Sequence, residues 1–423
     1  MTPSRGNIRW SVVAMLFFAT TINYIDRQVL GLLKPTLEKE FGWTETGYSQ
    51  IVMAFSAAYA LGLIVFGWYV DKIGSKLGYI ISIIVWSCAA MGHALVRTSI
   101  GFGAARAILG LGESGNFPAA IKAVAEWFPK KERALATGIF NSGANIGAVL
   151  APPIVYALQR NFGWRSAFVW TGAIGFLWLL WWWFKYEVPA KHRRLSQDEY
   201  KYINSDADAG NGQVAKTKWL PLLGIRPTWA FIIGKFMTDP IWWFFLFWLP
   251  SWLSSRFNVD LKANLGLPII IIYTATSFGS IGGGWLSSYL IRKGMPVSKS
   301  RKTVMLIFAL CVSPIFLVRF ADNLWQGVAL VSLAAAAHQA WSANIYTTVS
   351  DVFPKTAVSS VIGIGGMAGA VGGILFPLIV GNLLEHYRLL GNINAGYNIL
   401  FLISSVAYIA AWTIMHFLMR TRH

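Results

Sequence analysis

Phe128-Pro129-Lys130 and Phe353-Pro354-Lys355 occupy equivalent places in the two halves of the chain. Laying the second on the first also superposes Gly363 on Gly138, Gly372 on Gly147 and Pro377 on Pro152, without a gap. Each stretch joins two apolar runs long enough to cross a bilayer, which takes about 20 residues. A repeat of this kind predicts a transporter built from two related halves, with its substrate site near the midplane between them.

Outward from the repeat, apolar runs recur along the whole chain. Twelve are expected, near 10–33, 47–70, 78–97, 100–125, 136–158, 164–184, 227–253, 264–291, 303–318, 324–350, 357–384 and 395–419. Of the 423 residues 55% are hydrophobic and 13% charged, against roughly 25% charged in a soluble domain. The expected fold is therefore an all-α integral membrane protein of twelve transmembrane helices in two pseudo-symmetric six-helix bundles. Residues 1–185 form the first bundle and 227–423 the second. The polar stretch 186–226 is a connector, in which Ser196-Gln197-Asp198-Glu199 has the capping-box pattern that starts a short helix, followed by a loose segment from Asp206 to Lys218.

The net charge of +18 does not point to nucleic acid, because the cations are spread over short loops. Most of them fall on the termini and the even-numbered connections, which places both termini in the cytoplasm by the positive-inside rule. The basic N-terminus runs straight into a full span and reads as a retained helix rather than a cleaved signal. Cys88 and Cys311 lie in opposite halves and the His residues are scattered, so no disulfide framework and no metal site is expected.

Charged residues inside spans are few, costly, and a functional-site hypothesis by default. They are Asp26, Arg27, Arg106, Glu113, Lys122, Lys235 and Asp239. Arg106 and Glu113 return to nearly the same helix face two turns apart, about 10 Å along the axis. Counted from the outer ends of their spans, Asp26, Arg27 and Arg106 share one layer, and Glu113 lies two turns deeper. This predicts a substrate-anion layer above a proton site. Adjacent residues point about 100° apart on a helix, so Asp26 cannot fully satisfy Arg27 alone. Arg offers a planar fork to a carboxylate, and a buried carboxyl changes its proton affinity as cations approach or leave. Together these make a coupling device.

The repeat sets His338 opposite Glu113, within His338-Gln339-Ala340-Trp341-Ser342-Ala343-Asn344. His338, Gln339, Ser342 and Asn344 could serve substrate hydroxyls, as could Asn141 and Asn145, which share a face at i, i+4. Trp243 could stack on a sugar ring, whereas the Lys235 and Asp239 pair reads as self-neutralising. Lys122 belongs to the inner gate or snorkels to the cytoplasmic interface.

The connection Gly67-Trp68-Tyr69-Val70-Asp71-Lys72-Ile73-Gly74 resembles the pattern between helices 2 and 3 of the major facilitator superfamily. Gly67 and Gly74 would permit close packing and a tight turn. Asp71 would pair with a cation or a helix N-terminus to close the cytoplasmic side. The matching stretch of the second half has Ser288 where the acid would be, so no symmetric charge latch is expected.

Tyr24, Asp26, Arg27, Tyr59, Arg106 and Glu113, with Glu126-Trp127-Phe128-Pro129 and Glu132-Arg133, resemble the anion:cation symporter family. That family includes bacterial carriers of hexuronates and galactonate and the animal sialic acid and vesicular glutamate carriers. The resemblance implies that Asp26 and Glu113 handle the proton and that Arg27 and Arg106 handle the anion. The expected function is proton-coupled symport of a sugar acid, such as a hexuronate or aldonate, in a bacterial inner membrane. A proton-independent facilitator or an exchanger is the alternative, and a membrane-embedded enzyme a remote one. No cofactor beyond the coupling proton is expected, and a monomer suffices.

Overall fold

A computed structural model describes residues 6–43, 45–206, 219–257 and 266–419. The elements before the connector are α1 (Ile8–Phe41), α2 (Glu45–Ile73), α3 (Ser75–Gly92), α4 (Ser99–Glu113), α5 (Asn116–Trp127), α6 (Lys130–Phe162) and α7 (Trp164–Lys185). Two short helices follow, α8 (Gln197–Ile203) and α9 (Trp219–Leu222). The second set comprises α10 (Arg226–Phe257), α11 (Gly266–Arg292), α12 (Val297–Val312), α13 (Leu324–Val352), α14 (Val358–Leu389) and α15 (Ile393–Leu418). Among the described residues no strand occurs. The expected loose segment lies outside the described residues from 207 to 218, and so does the Pro250 side chain.

Nine helical stretches among the described residues are long and apolar enough to cross a membrane. The other three expected spans fall on the α4–α5 unit, α10 and α13. Those are the segments that carry Glu113, the Lys235 and Asp239 pair, and the run from His338 to Asn344. The single span expected over 100–125 is broken. Pro118 lacks the N–H that would reach the carbonyl four residues back. In the turn before it, the Gly112 carbonyl accepts from Ser82 Oγ at 2.6 Å, and the Leu111 carbonyl from Ser114 Oγ at 2.6 Å. Broken helices at membrane depth are tolerated where they border a protein interior or cavity.

Within the first set α1 packs on α6 and α7, α2 on α4, and α3 on α4 and α7. Within the second, α10 packs on α14 and α15, and α13 on α11 and α12. The sets meet along two seams, α2 with α14 and α6 with α11. Glycine makes both seams possible. A Cβ at Gly67 would strike the Ser359 carbonyl and Gly363, and one at Gly363 would strike Leu63. Likewise Gly138 lies against the Ser280 carbonyl, and Gly284 against the Ala134 carbonyl. Small residues let helix backbones approach closely where lipid supplies no hydrophobic drive. Gly67 and Gly284 are counterparts in the sequence repeat, as are Gly138 and Gly363, so the two seams are one contact used twice.

Candidate transport site

The site is built around α1. Arg27 Nε lies 2.8 Å from Glu113 Oε2 on α4, and its guanidinium sits over Tyr24 at 4.7 Å, Tyr59 at 4.8 Å and Phe55 at 5.2 Å. Cation–π contacts of this kind hold a desolvated guanidinium flat between rings. This corrects the expected layering. The long Arg27 side chain reaches the depth of Glu113, so the groups expected to bind anion and proton form one unit rather than two levels. Arg106 does not bond Glu113 directly. Both its terminal nitrogens donate to the Arg27 backbone carbonyl, at 3.2 and 3.3 Å, which ties α4 to α1 and leaves its Nε without a partner among the described residues.

Asp26 points away from Arg27, as the helical 100° step requires. It is 2% exposed, and neither carboxyl oxygen has a hydrogen-bond partner among the described residues. Glu113 is fully buried, with Oε1 likewise unpartnered. Native interiors rarely tolerate such groups. Two carboxyls, each with unsatisfied oxygens and sharing one neighbourhood with two guanidiniums, form a place where a proton or an anion changes the balance of charge.

Facing this charged cluster is a neutral one that joins α6 to α13. Asn141 Nδ2 donates to Gln339 Oε1 at 2.9 Å and to Ser280 Oγ at 3.1 Å, and Gln339 Nε2 donates to Asn145 Oδ1 at 3.4 Å. The shared face of Asn141 and Asn145 therefore converges on one side chain from the other half. His338 bonds Tyr408 through Nδ1 at 2.5 Å and stacks on Trp242, with centroids 5.0 Å apart. Trp243 packs where Gly373 leaves room. The Asn344 amide donates to the carbonyls of Gly283 at 3.1 Å and Ala340 at 2.9 Å, while its Oδ1 has no partner among the described residues. Ser342 is buried on the same helix.

Below the site, at the end where α2 turns into α3, the Asp71 carboxylate performs both tasks expected of it. Lys122 Nζ lies 2.9 Å from Oδ1, and the backbone N–H groups of Ser359 and Ser360, at the start of α14, donate to Oδ1 at 3.2 Å and Oδ2 at 2.6 Å. A carboxylate on a helix N-terminus gains from both free N–H groups and the dipole. Gly74, at φ 90°, makes the tight turn into α3.

The second half has no acid at Ser288, yet it has its own brace, which sequence reasoning missed. Asp351 Oδ2 lies 2.9 Å from Arg301 Nε, and Asp351 Oδ1 lies 3.4 Å from Arg133 on α6. Arg301 also donates to the Lys130 carbonyl at 2.7 Å, and Arg133 to the Ser350 carbonyl. The signal was present: the repeat aligns Asp351 with Glu126. A third junction had no sequence signal. Arg9 pairs with Glu132 and, through the connector helix α8, with Glu199, each at 3.0 Å.

This helical architecture, with a charged core and paired seams, is that of a membrane transporter, and the chain belongs to the major facilitator superfamily, whose family model matches residues 16–377. It is 31% identical over 382 residues to the hexuronate transporter of Escherichia coli, covering 89% of this chain and 88% of that one. It is also 29% identical over 394 residues to a D-galactonate transporter of Escherichia coli, covering 90% of each. A probable galactarate/D-glucarate transporter of Bacillus subtilis is 29% identical over 409 residues, covering 91% and 88%. Among solved structures, the proton:xylose symporter XylE superposes with a TM-score of 0.78 at 14% identity, covering 98% of this chain and 96% of that one. The relatives and the fold are those of transporters, not enzymes.

Proposed function

We propose that the chain is a proton-coupled symporter of a sugar acid in a bacterial inner membrane, working by alternating access. In this reading twelve crossings form two bundles, residues 1–185 and 227–423, joined by the connector 186–226, with both termini in the cytoplasm. The coupling ion is the proton, no resident cofactor is needed, and one chain holds a complete site. The sugar-acid class, hexuronate or aldonate, is supported by the relatives.

The observation that carries the reading is the Arg27 and Glu113 pair beside the unsatisfied Asp26 carboxyl. Arg27 cannot serve Glu113 and a substrate carboxylate equally well. Breaking a buried pair by removing one partner costs about 3–5 kcal/mol, so the guanidinium becomes available when Glu113 takes a proton. Protonation and anion binding then favour one another. The neutral cluster of Asn141, Asn145 and Gln339 faces the substrate hydroxyls from the other side. The Asp71 and Asp351 braces hold the cytoplasmic ends of the bundles together while the site faces outward, and they part when it turns inward. Loss of the proton to the less acidic cytoplasm then returns Glu113 to Arg27 and expels the anion.

The test is uptake of D-galacturonate and D-galactonate into proteoliposomes with an imposed inward proton gradient. Symport predicts accumulation that rises with the gradient and collapses with a protonophore. Uptake indifferent to the gradient would replace symport by facilitated diffusion or exchange.

A further inference from the structure

The first turn of α6 faces two ways. On one side it meets the second half: the Lys130 carbonyl accepts from Arg301 at 2.7 Å, and Arg133 reaches Asp351 Oδ1 at 3.4 Å. On the other it meets the start of α1 and the connector. Glu132 Oε2 lies 3.0 Å from Arg9 Nε, and its Oε1 accepts from the Tyr202 hydroxyl of α8 at 2.7 Å. Lys131 Nζ sits over the Tyr202 ring, 4.5 Å from its centre. Adjacent helix residues point about 100° apart, so Glu132 and Arg133 serve different neighbours. Glu199, also on α8, completes the second group. It is fully buried, pairs with an Arg9 terminal nitrogen at 3.0 Å, and accepts the backbone N–H groups of Ile8 at 3.4 Å and Arg9 at 3.3 Å. It thereby caps α1, whose own N-cap residue, Asn7, supplies no side-chain bond. Residue 6 is glycine, where a Cβ would strike the Glu199 carboxylate.

We propose that the connector helix α8 is a latch of the cytoplasmic gate. Docked on α1 and α6, it holds the first turn of α6 where Arg133 and the Lys130 carbonyl meet Asp351 and Arg301, and so keeps the site facing outward. A segment that only tied two bundles together would need no buried charge. Taking a carboxylate such as Glu199 out of water is costly, and buried ion pairs add little stability over apolar packing; their best-attested use is to fix a register or a switch. The register fixed here is that of α1, α6 and α8 at one junction. Because α1 also carries Asp26 and Arg27, that junction ties the helix of the charged site to the helix of the brace. The other connector helix, α9, packs on α14 of the second half, so the connector touches both bundles. The inference rests on the alternating-access reading, in which the Asp351 brace parts as the site turns inward.

The test is the distance across the cytoplasmic face, measured by double electron–electron resonance on the full-length protein in lipid nanodiscs. Spin labels are attached at Lys72→Cys and Lys293→Cys, two exposed positions at the ends of α2 and α11, in a Cys88→Ser, Cys311→Ser background. Glu199→Gln should raise the ratio of long to short distances by about fivefold or more, as expected when a hydrogen bond to a charged group is lost. Tyr202→Phe, which keeps the ring and removes one hydroxyl contact, should shift the ratio in the same direction by less. Glu199→Gln combined with Asp351→Asn should shift it by less than the product of the two single effects, because residues acting through one shared turn are not additive. Should Glu199→Gln not fold, Tyr202→Phe is combined with Asp351→Asn in its place. An unchanged ratio in the α8 variants, or effects that simply multiply, would overturn the latch while leaving the brace intact. If Asp351→Asn itself leaves the ratio unchanged, the brace reading fails and the inference with it.

Discussion

The two halves of this transporter share a skeleton but not a chemistry. At the seams, Gly67 and Gly363 against the Ser359 and Leu63 carbonyls, and Gly284 and Gly138 against the Ala134 and Ser280 carbonyls, are symmetric copies of one helix contact. In the interior the first half buries Asp26, Arg27, Arg106 and Glu113, while the second has Gln339, His338 and one pair, Lys235 with Asp239. The seams answer to backbone packing, which any substitution larger than hydrogen disturbs, so duplication leaves them alike. The interior side chains answer to chemistry rather than to backbone packing, so duplication leaves them free to diverge.

That contrast can be broken most decisively at Arg27. Arg27→Ala leaves Glu113 buried without its cation and removes the anion's partner. At roughly 3–5 kcal/mol, and 1.4 kcal/mol per factor of ten, substrate affinity should fall by two to three orders of magnitude in a direct binding assay. Arg27→Lys should recover little of it, because the planar fork and its stacking on Tyr24 and Tyr59 are lost. A Lys variant of wild-type affinity would show that charge alone matters there.

Asp26→Asn separates coupling from binding. Accumulation driven by a proton gradient should be lost, whereas exchange of internal for external substrate should survive within a few-fold. Unaltered accumulation would remove the proton role from Asp26.

The braces test whether the halves are mechanically equivalent despite their different geometry. Asp71→Asn weakens one contact with Lys122 and two with the α14 N-terminus. Asp351→Asn weakens two arginine contacts. Hydrogen bonds to charged groups contribute about 1.5–3 kcal/mol, so each variant should shift the population several-fold or more toward the inward-open state. The readout is the alkylation rate of a cysteine placed in the chamber at Asn145. An effect of Asp71→Asn alone would make the second brace incidental.

The smallest effect belongs to the neutral cluster. Gln339→Ala removes one proposed uncharged contact to substrate, a net of about 1 kcal/mol, and should raise the transport KM by roughly fivefold while leaving proton coupling intact. Loss of coupling would move Gln339 out of the hydroxyl-reading set.

Much of this was legible in the residues. The interior charges stood out because a bilayer makes every one of them costly, and the repeat identified the seams because glycine positions survive duplication. The motif around Asp71 announced a brace, and both partners it could take are present. Other features were not legible. That Trp242 stacks on His338, and that the Asn344 amide reaches the Gly283 carbonyl of another helix, cannot be read from composition or spacing.

By itself, the order of residues determined that the chain lives in a bilayer, that it is doubled, and which few side chains carry charge inside it, because apolar length, internal repetition and interior charge are local properties of a chain. Only the tertiary structure decided who pairs with whom. Arg27 reaches Glu113 instead of its neighbour Asp26, Asp71 caps a helix of the opposite half, and Lys235 reaches the Tyr346 hydroxyl on α13. These partners come from helices far apart in sequence, and side chains as long as Arg and Lys can span more than one layer. Depth along a single helix therefore predicts where a charge starts, and packing between helices decides where it ends.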